Sequence, residues 1–193
     1  MPSIRAFIAV ELDPKIQQAL GKAIARLEAA EGGGLVRWVS PGSIHLTLKF
    51  LGDIDPSSVR AVSRVLDRVA AAHAPFYVAL GELGCFPNRR RARVFWVGVE
   101  DSQGCLQALV ESLEDALTRL GFEREARPFT GHLTLGRVRR EAPRARVAPL
   151  ARESLLDLTH KLTLHVDALS LMQSDLTPSG AIYSRLHRAK LMG

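Results

Sequence analysis

Two stretches of the chain carry the same four residues in the same order, His45-Leu46-Thr47-Leu48 and His132-Leu133-Thr134-Leu135. The chain has only six histidines among 193 residues, so two of them heading identical tetrapeptides is the feature to explain. Side chains alternate across an extended strand, so in each copy the imidazole and the hydroxyl share one face while the leucines anchor the other. The same alternation predicts Ile44, Leu46, Leu48 and Phe50 on the core side of the first strand. Imidazole titrates near neutrality, and a threonine hydroxyl is a neutral donor. Two copies related by an approximate two-fold would flank one site with two histidines and two threonines. That set suits a phosphodiester, because displacement at phosphorus needs a base on the attacking oxygen and an acid on the leaving one, roughly in line. His45 and His132 are therefore the candidate catalytic pair, and Thr47 and Thr134 the candidate holders of the non-bridging oxygens. The design calls for no metal or other cofactor.

A lone His-x-Thr on a strand usually means a half-exposed histidine. Ordinary residue usage places Leu-Thr-Leu after a given histidine on the order of once in several thousand, so the pair is the signal and neither copy alone is. The other histidines read as structural: His160 and His165 at strand ends, His73 at a helix end, His187 in a basic C-terminal strand. Two rival uses of the pair differ in chemistry. A phosphate-capturing, non-catalytic nucleotide or RNA module needs donors and charge but no matched titrating groups. A zinc site needs a third protein ligand and an oriented outer shell, and neither motif has a carboxylate or cysteine at ligand spacing.

The elements that must position these residues follow from pattern. Ile4 to Leu12 reads as a buried strand, and Asp13-Pro14 as an N-cap followed by proline at the first helical position, with the helix running to about Ala30. A short strand is predicted at Val36 to Val39, and a turn at Pro41-Gly42 leads into the first motif strand. Asp55-Pro56 opens a second helix, to about Ala72. Strands follow at Phe76 to Leu80 and Arg93 to Glu100, separated by a loop around Phe86-Pro87-Asn88, then a helix from about Gln103 to Leu120 and the second motif strand. A helix near Leu150 to Leu158, two strands between Lys161 and Ser174, and a strand near Ala181 to His187 close the chain. Each half thus has two helices and several strands. This predicts an α+β fold in a single two-lobed domain over residues 1–193, two antiparallel sheets flanked by helices meeting in a pseudo-two-fold arrangement at a central cleft.

Composition bounds the partners. The formal net charge is +6, which favours polyanions without specifying one. Arginine outnumbers lysine 21 to 5, a ratio that coding bias explains as well as phosphate recognition does. Arg89, Arg90, Arg91 and Arg93 form a basic loop, read either as a funnel for a nucleic-acid backbone or as a solvated charged turn. Cys85 and Cys105 have no metal-like or redox-like spacing and suit a reducing compartment. No targeting segment or membrane-length apolar run is present, so a cytoplasmic, membrane-free protein is expected. Trp38 and Trp96 sit on apolar strands and read as core.

The paired motifs resemble those of the two-histidine phosphoesterases, and within them the RNA 2′,3′-cyclic phosphodiesterases, also called 2′-5′ RNA ligases. The likeness spans nearly the whole chain: RAFIAVEL resembles the family's opening strand, IHLTLKFLGDI its first motif, FPNRRRARVFWVGV its middle loop and strand, ARPFTGHLTLGRV its second motif and SDLTPSGAIYSRL its closing hairpin. Gly131 stands where the family usually has proline, which leaves the approach to His132 looser. The resemblance implies hydrolysis of an RNA-terminal 2′,3′-cyclic phosphate, or of a nucleoside cyclic phosphate, to a 2′-phosphomonoester; separately, a monomer is expected. It implies His45 as proton donor, His132 as proton acceptor, and ATP-independent 2′-5′ ligation as the reverse. Arg137 falls where relatives carry a phosphate-contacting arginine; strict alternation puts it on the face opposite His132, so the strand must end or bulge there. Tyr183 matches an aromatic near the cleft, placed to stack on or hydrogen-bond substrate, the alternative being a core aromatic.

Overall fold

Nine strands form one antiparallel sheet in the computed structural model, which describes residues 3–177 and 180–193. They are β1 (Ile4–Glu11), β2 (Val36–Trp38), β3 (His45–Ile54), β4 (Phe76–Phe86), β5 (Val94–Glu100), β6 (His132–Val138), β7 (Thr163–Val166), β8 (Ala168–Thr177) and β9 (Gly180–Lys190). The spatial order is β7-β4-β5-β6-β3-β1-β8-β9, with β2 added against β6. The expected closing hairpin is β8 and β9; its residues Pro178 and Ser179 lie outside the described residues.

The sheet divides naturally in the middle. β1, β3, β8 and β9 make one half, and β4, β5, β6 and β7 the other, each densely paired within itself. The halves join through β3 and β6 at a single residue pair, Leu46 opposite Leu133. The two expected sheets are thus halves of one sheet, and the seam runs between the two motif strands. In each half a strand, a helix and a motif strand follow in order: β1, α1 (Pro14–Ala29), β3, and β5, α3 (Cys105–Thr118), β6. The helices cross over. α1 packs on β2 and on the short α5 (Leu156–Thr159), beside the second half, while α3 packs on β3 and on α2 (Val59–Ala71), beside the first.

Local sequence accounts for the helices. Asp13 caps α1 by accepting from the Ile16 N–H at 2.9 Å, with Pro14 entering the first turn. Ile16, Leu20, Ala23, Ile24 and Leu27 then recur at three- and four-residue spacing and are all buried. α3 does the same with Leu106, Leu109, Leu113 and Leu117.

Two expectations need correction. The strand after Pro75 runs on to Phe86 instead of stopping at Leu80, and Gly81 and Gly84 are close-packing positions inside it. A Cβ at Gly84 would sit 2.2 Å from the Trp96 ring of the neighbouring strand. The region expected as one helix from Leu150 to Leu158 is a 3-10 turn (Leu150–Arg152) followed by α5, and it is preceded by a single-turn α4 (Arg144–Val147). Its apolar residues keep helical spacing, but Glu153 is extended (ψ 148°) and breaks the run. Among the described residues no helix is long and apolar enough to cross a membrane.

Candidate active site

The Leu46–Leu133 pair determines what faces the cleft. Both leucines are fully buried, so their neighbours point the other way. Continuing the antiparallel register one step in each direction sets His45 beside Thr134 and Thr47 beside His132. All four side chains therefore emerge on one face. The two histidines are diagonal neighbours, a relation that separates Cβ atoms by about 7–8 Å in a regular pair. The cleft over this face has a volume of about 1300 Å³, and all six residues expected at the site line it: His45, Thr47, His132, Thr134, Arg137 and Tyr183.

Both imidazoles are held the same way. His45 Nδ1 lies 3.0 Å from the carbonyl oxygen of Ser43, and His132 Nδ1 lies 2.8 Å from that of Thr130. A carbonyl only accepts, so each Nδ1 carries the proton and donates it. In the neutral ring Nε2 is then the unprotonated nitrogen, available to take a proton or, once charged, to give one. The residue two positions earlier thus fixes both tautomer and ring orientation. Gly131 does not loosen this arrangement: its carbonyl accepts from the Val99 N–H at 3.0 Å. Val99 and Leu106 crowd the place where its Cβ would stand.

The walls around the two rings differ. His45 stacks on Phe7 (centroids 4.7 Å) and meets Tyr183 edge-on at 4.9 Å. Burial pushes the His45 pKa down from the ordinary imidazole value; the Ser43 carbonyl and the nearby Glu11 carboxylate oppose that shift without reversing it. Glu11 pairs with His45 across β1 and β3 and is bridged by Arg185 at 2.7 Å. His132 meets Phe86 edge-on at 5.0 Å, with the Trp96 ring tilted 6.0 Å away.

Arg137 reaches the cleft as required, through a bulge. Thr134 pairs with Trp96 and Gly136 with Phe95, so Leu135 is the extra residue. Leu135 and Gly136 are both buried, and Arg137 is turned out beside His132 and Thr134. The first motif does the same. Thr47 pairs with Ala9 and Lys49 with Ile8, leaving Leu48 as the extra residue. Here the expectation fails, since Phe50 belongs to the cleft face and is 66% exposed, while Lys49 is buried at 6%. The Lys49 ammonium has three donors and uses all of them, on both Glu114 oxygens (2.9 and 2.7 Å) and the Glu123 carbonyl (2.8 Å).

Of the four arginines in the basic loop only Arg93 lines the cleft; Arg89–Arg91 form an exposed 3-10 turn capped by the Asn88 side chain. None of the other histidines lines it. His73 contacts Ser112 Oγ, His187 pairs with Asp67, and His165 stacks on Tyr77. Trp38 donates to the Gly33 carbonyl and packs near Phe95. Phe7, Glu11, Phe50 and Phe86 were not foreseen at the site. The period-two pattern that would have assigned Phe7 and Glu11 to a face is hidden in the continuous apolar run of β1. Among the described residues no three His, Cys, Asp or Glu side chains are grouped to hold a metal ion.

A family model described as the 2′-5′ RNA ligase superfamily matches residues 12–178. The chain belongs to that superfamily. It is 34% identical to a protein of Methanothermobacter thermautotrophicus named RNA 2′,3′-cyclic phosphodiesterase, over 97% of this chain and 99% of the relative. A Thermotoga maritima protein of the same name is 30% identical, over 98% of this chain and 97% of its own. The crystal structure of a Thermus thermophilus protein superposes with TM-score 0.82 at 28% identity, covering 98% of this chain and 99% of that one. Apo LigT of E. coli shares the fold over the full length of both chains, with TM-score 0.79 at 24% identity. Within this superfamily fold, the cleft lies at the one-pair seam between the two halves.

Proposed function

We propose that the protein hydrolyses an RNA-terminal 2′,3′-cyclic phosphate, or a nucleoside 2′,3′-cyclic phosphate, to a 2′-phosphomonoester, using its two motif histidines as acid and base. One observation carries this reading: two imidazoles, each fixed through Nδ1 to the carbonyl two residues earlier, stand diagonally across the Leu46–Leu133 seam. Membership of the superfamily, and the name shared by relatives that align over nearly the whole chain, support it.

In the forward step His132 Nε2 removes a proton from water as its oxygen attacks phosphorus. The bond from phosphorus to O3′ breaks, and His45, starting as imidazolium, delivers its Nε2 proton to that oxygen. The product is a 2′-phosphate beside a free 3′-hydroxyl. Thr47, Thr134 and Arg137 hold the non-bridging oxygens, and Tyr183 packs on His45 at the edge of the site. The anionic phosphate offsets the burial that disfavours charged His45. With a 5′-hydroxyl RNA end attacking in the place of water, and O3′ leaving as before with the proton from His45, the same groups form a 2′-5′ linkage without ATP. We place this chemistry in the cytoplasm.

Product analysis on an oligonucleotide ending in a 2′,3′-cyclic phosphate tests the reading. The wild type is expected to give a 2′-phosphate, and His45→Ala to give almost none. Equal rates for the two proteins would end the acid–base assignment, and a 3′-phosphate product would reverse the leaving group.

A further inference from the structure

The two motif imidazoles are oriented by equivalent carbonyls, but those carbonyls are supported differently. Ser43 belongs to a closed 3-10 turn: its N–H donates to the Ser40 carbonyl at 2.8 Å, and the Ile44 N–H to the Pro41 carbonyl at 3.2 Å. The oxygen that orients His45 is therefore set by bonds between neighbours in sequence. Thr130, by contrast, ends an irregular segment, residues 123–130, that carries the chain from α3 to β6. All of that segment except Phe129 is exposed, and residues 124–130 line the cleft.

Such a segment has no ladder or helix to fix its carbonyls. Among the described residues its backbone makes hydrogen bonds at Glu123, Glu125 and Thr130 alone. The Glu123 carbonyl accepts from Lys49 Nζ at 2.8 Å, and the Glu125 N–H donates to Glu114 Oε2 at 3.4 Å. The Glu114 carboxylate also takes the other two Lys49 donors. Both anchors at the start of the segment are thus partners in one buried ion pair, and the third bond is the one that orients His132. Side chains add Arg124 on Asp115 at the surface and Phe129 against the core. Lys49 itself stands on the first motif strand, four residues after His45. Stability does not account for the pair, since exchanging a buried ion pair for apolar residues of similar volume is often neutral or better. What the pair supplies is direction: it meets one carbonyl and one amide of the segment at fixed points.

We infer that Lys49, through Glu114, is the positioning residue for the base on the other motif. The pair holds the start of segment 123–130 so that the Thr130 carbonyl meets His132 Nδ1 and Nε2 stays the unprotonated nitrogen. The inference rests on the role proposed above for His132 and adds a link between the motifs: the strand that carries the acid also sets the base. His45 needs no such support, because its carbonyl is fixed within its own turn.

Two variants loosen the link in different places. Lys49→Met with Glu114→Leu removes the pair without orphaning a charge. Inserting one glycine between Ala126 and Arg127 leaves the pair intact and puts slack into an exposed stretch, where an extra residue costs little stability. Each is expected to lower kcat on adenosine 2′,3′-cyclic phosphate about 10–100-fold with KM nearly unchanged, because His132 loses its orientation while the groups that hold phosphate keep theirs. Imidazole 15N shifts, read with both rings neutral, should show His132 losing its Nδ1–H tautomer in each variant while His45 keeps its own. If the double variant does not fold, the insertion decides. A wild-type His132 tautomer in the insertion variant would overturn the inference whatever the rate, and would leave Phe129 as the support of Thr130. Equal disturbance of both rings would also overturn it, since a general loosening of the fold does not distinguish them. If the wild type hydrolyses no cyclic phosphate, the proposed function has failed, and the two tautomers then test the link on their own by the same comparison.

Discussion

β3 and β6 begin alike and then use the same bulge for different ends. Each opens with a histidine locked to the carbonyl two residues behind it, buries the intervening leucine, and gains one extra residue after the threonine. At the buried residue that follows the bulge, β3 has Lys49 and β6 has Gly136. Lys49 ties its strand to α3 and to the segment leading toward His132, through Glu114 and the Glu123 carbonyl. Gly136 leaves room for β2: a Cβ there would lie 2.7 Å from both Trp38 and Val36. One position on, Phe50 and Arg137 face the cleft. The reacting pair is thus kept symmetric while the residues around it are not.

The symmetric part carries the largest expected effect. His45→Ala and His132→Ala should each lower kcat by about 10²–10⁴-fold, the range for a positioned acid or base. Because the two act in one step, the double variant should lose little more than the worse single one. Multiplying losses, measured by single-turnover hydrolysis, would show that the rings act independently and would break the comparison.

Next comes the buried pair that the second strand lacks. Lys49→Met leaves the Glu114 carboxylate buried without its cation and should destabilise the protein by about 3–5 kcal/mol. Lys49→Met with Glu114→Leu should recover most of that, because the cost lies in the orphaned charge. Gly136→Ala, at the matching position, should cost about 1–3 kcal/mol by overpacking against β2. Urea titrations of the four proteins give the ranking. A Lys49→Met protein as stable as wild type would mean that the clasp contributes nothing.

How much of this was legible in the sequence depends on which force decides each feature. The motif histidines and threonines, Asp13 with Pro14, and the helix faces of α1 and α3 are local patterns and could be read directly. The need for the strand to end or bulge before Arg137 followed from alternation together with the phosphate-contacting role that the family resemblance implies for this arginine. The bulge before Phe50 was missed although the two strands share a tetrapeptide, because the expected phenylalanine-in, lysine-out arrangement looked unremarkable. What reverses it is Glu114, 65 residues further along the chain, which supplies the partner that makes a buried ammonium tolerable. The Leu46–Leu133 seam was likewise invisible, since strand pairing across 87 positions leaves no local trace. The run Leu150 to Leu158 misled for the opposite reason: helical spacing persisted where the backbone turns extended.

Arg137→Met should come after these, raising KM and lowering kcat/KM by roughly 10–100-fold, in line with losing a charge-assisted hydrogen bond to phosphate. Lysine at the same position should recover part of it, as a point charge without the planar fork. A loss confined to kcat, with KM unmoved, would mean that the arginine acts only in the transition state and adds nothing to ground-state binding.

The smallest effect sharpens an electrostatic difference between the rings. Glu11 is close enough to raise the His45 pKa, which burial lowers, and no matching acid faces the second motif across β5, where Gly98 pairs with His132. Glu11→Gln removes a term that favours imidazolium, so the His45 pKa should fall further. If His45 is the acid, kcat/KM at high pH follows its protonated fraction, so Glu11→Gln should lower kcat/KM on the alkaline side and leave the acid side unchanged. In kcat the alkaline limb should lie higher, because bound phosphate restores the charge. Stability should respond in the same sense. Folded His45 resists protonation, so below the ordinary imidazole pKa, about 6.5, the unfolded chain takes up the proton more readily and the native state weakens as pH falls. His45→Gln should remove that share of the acid sensitivity, visible as a flatter dependence of Tm on pH. Should Glu11→Gln instead raise kcat/KM on the acid side and leave the alkaline side unchanged, His45 would be the base, and the two motifs would exchange roles without any change in their geometry.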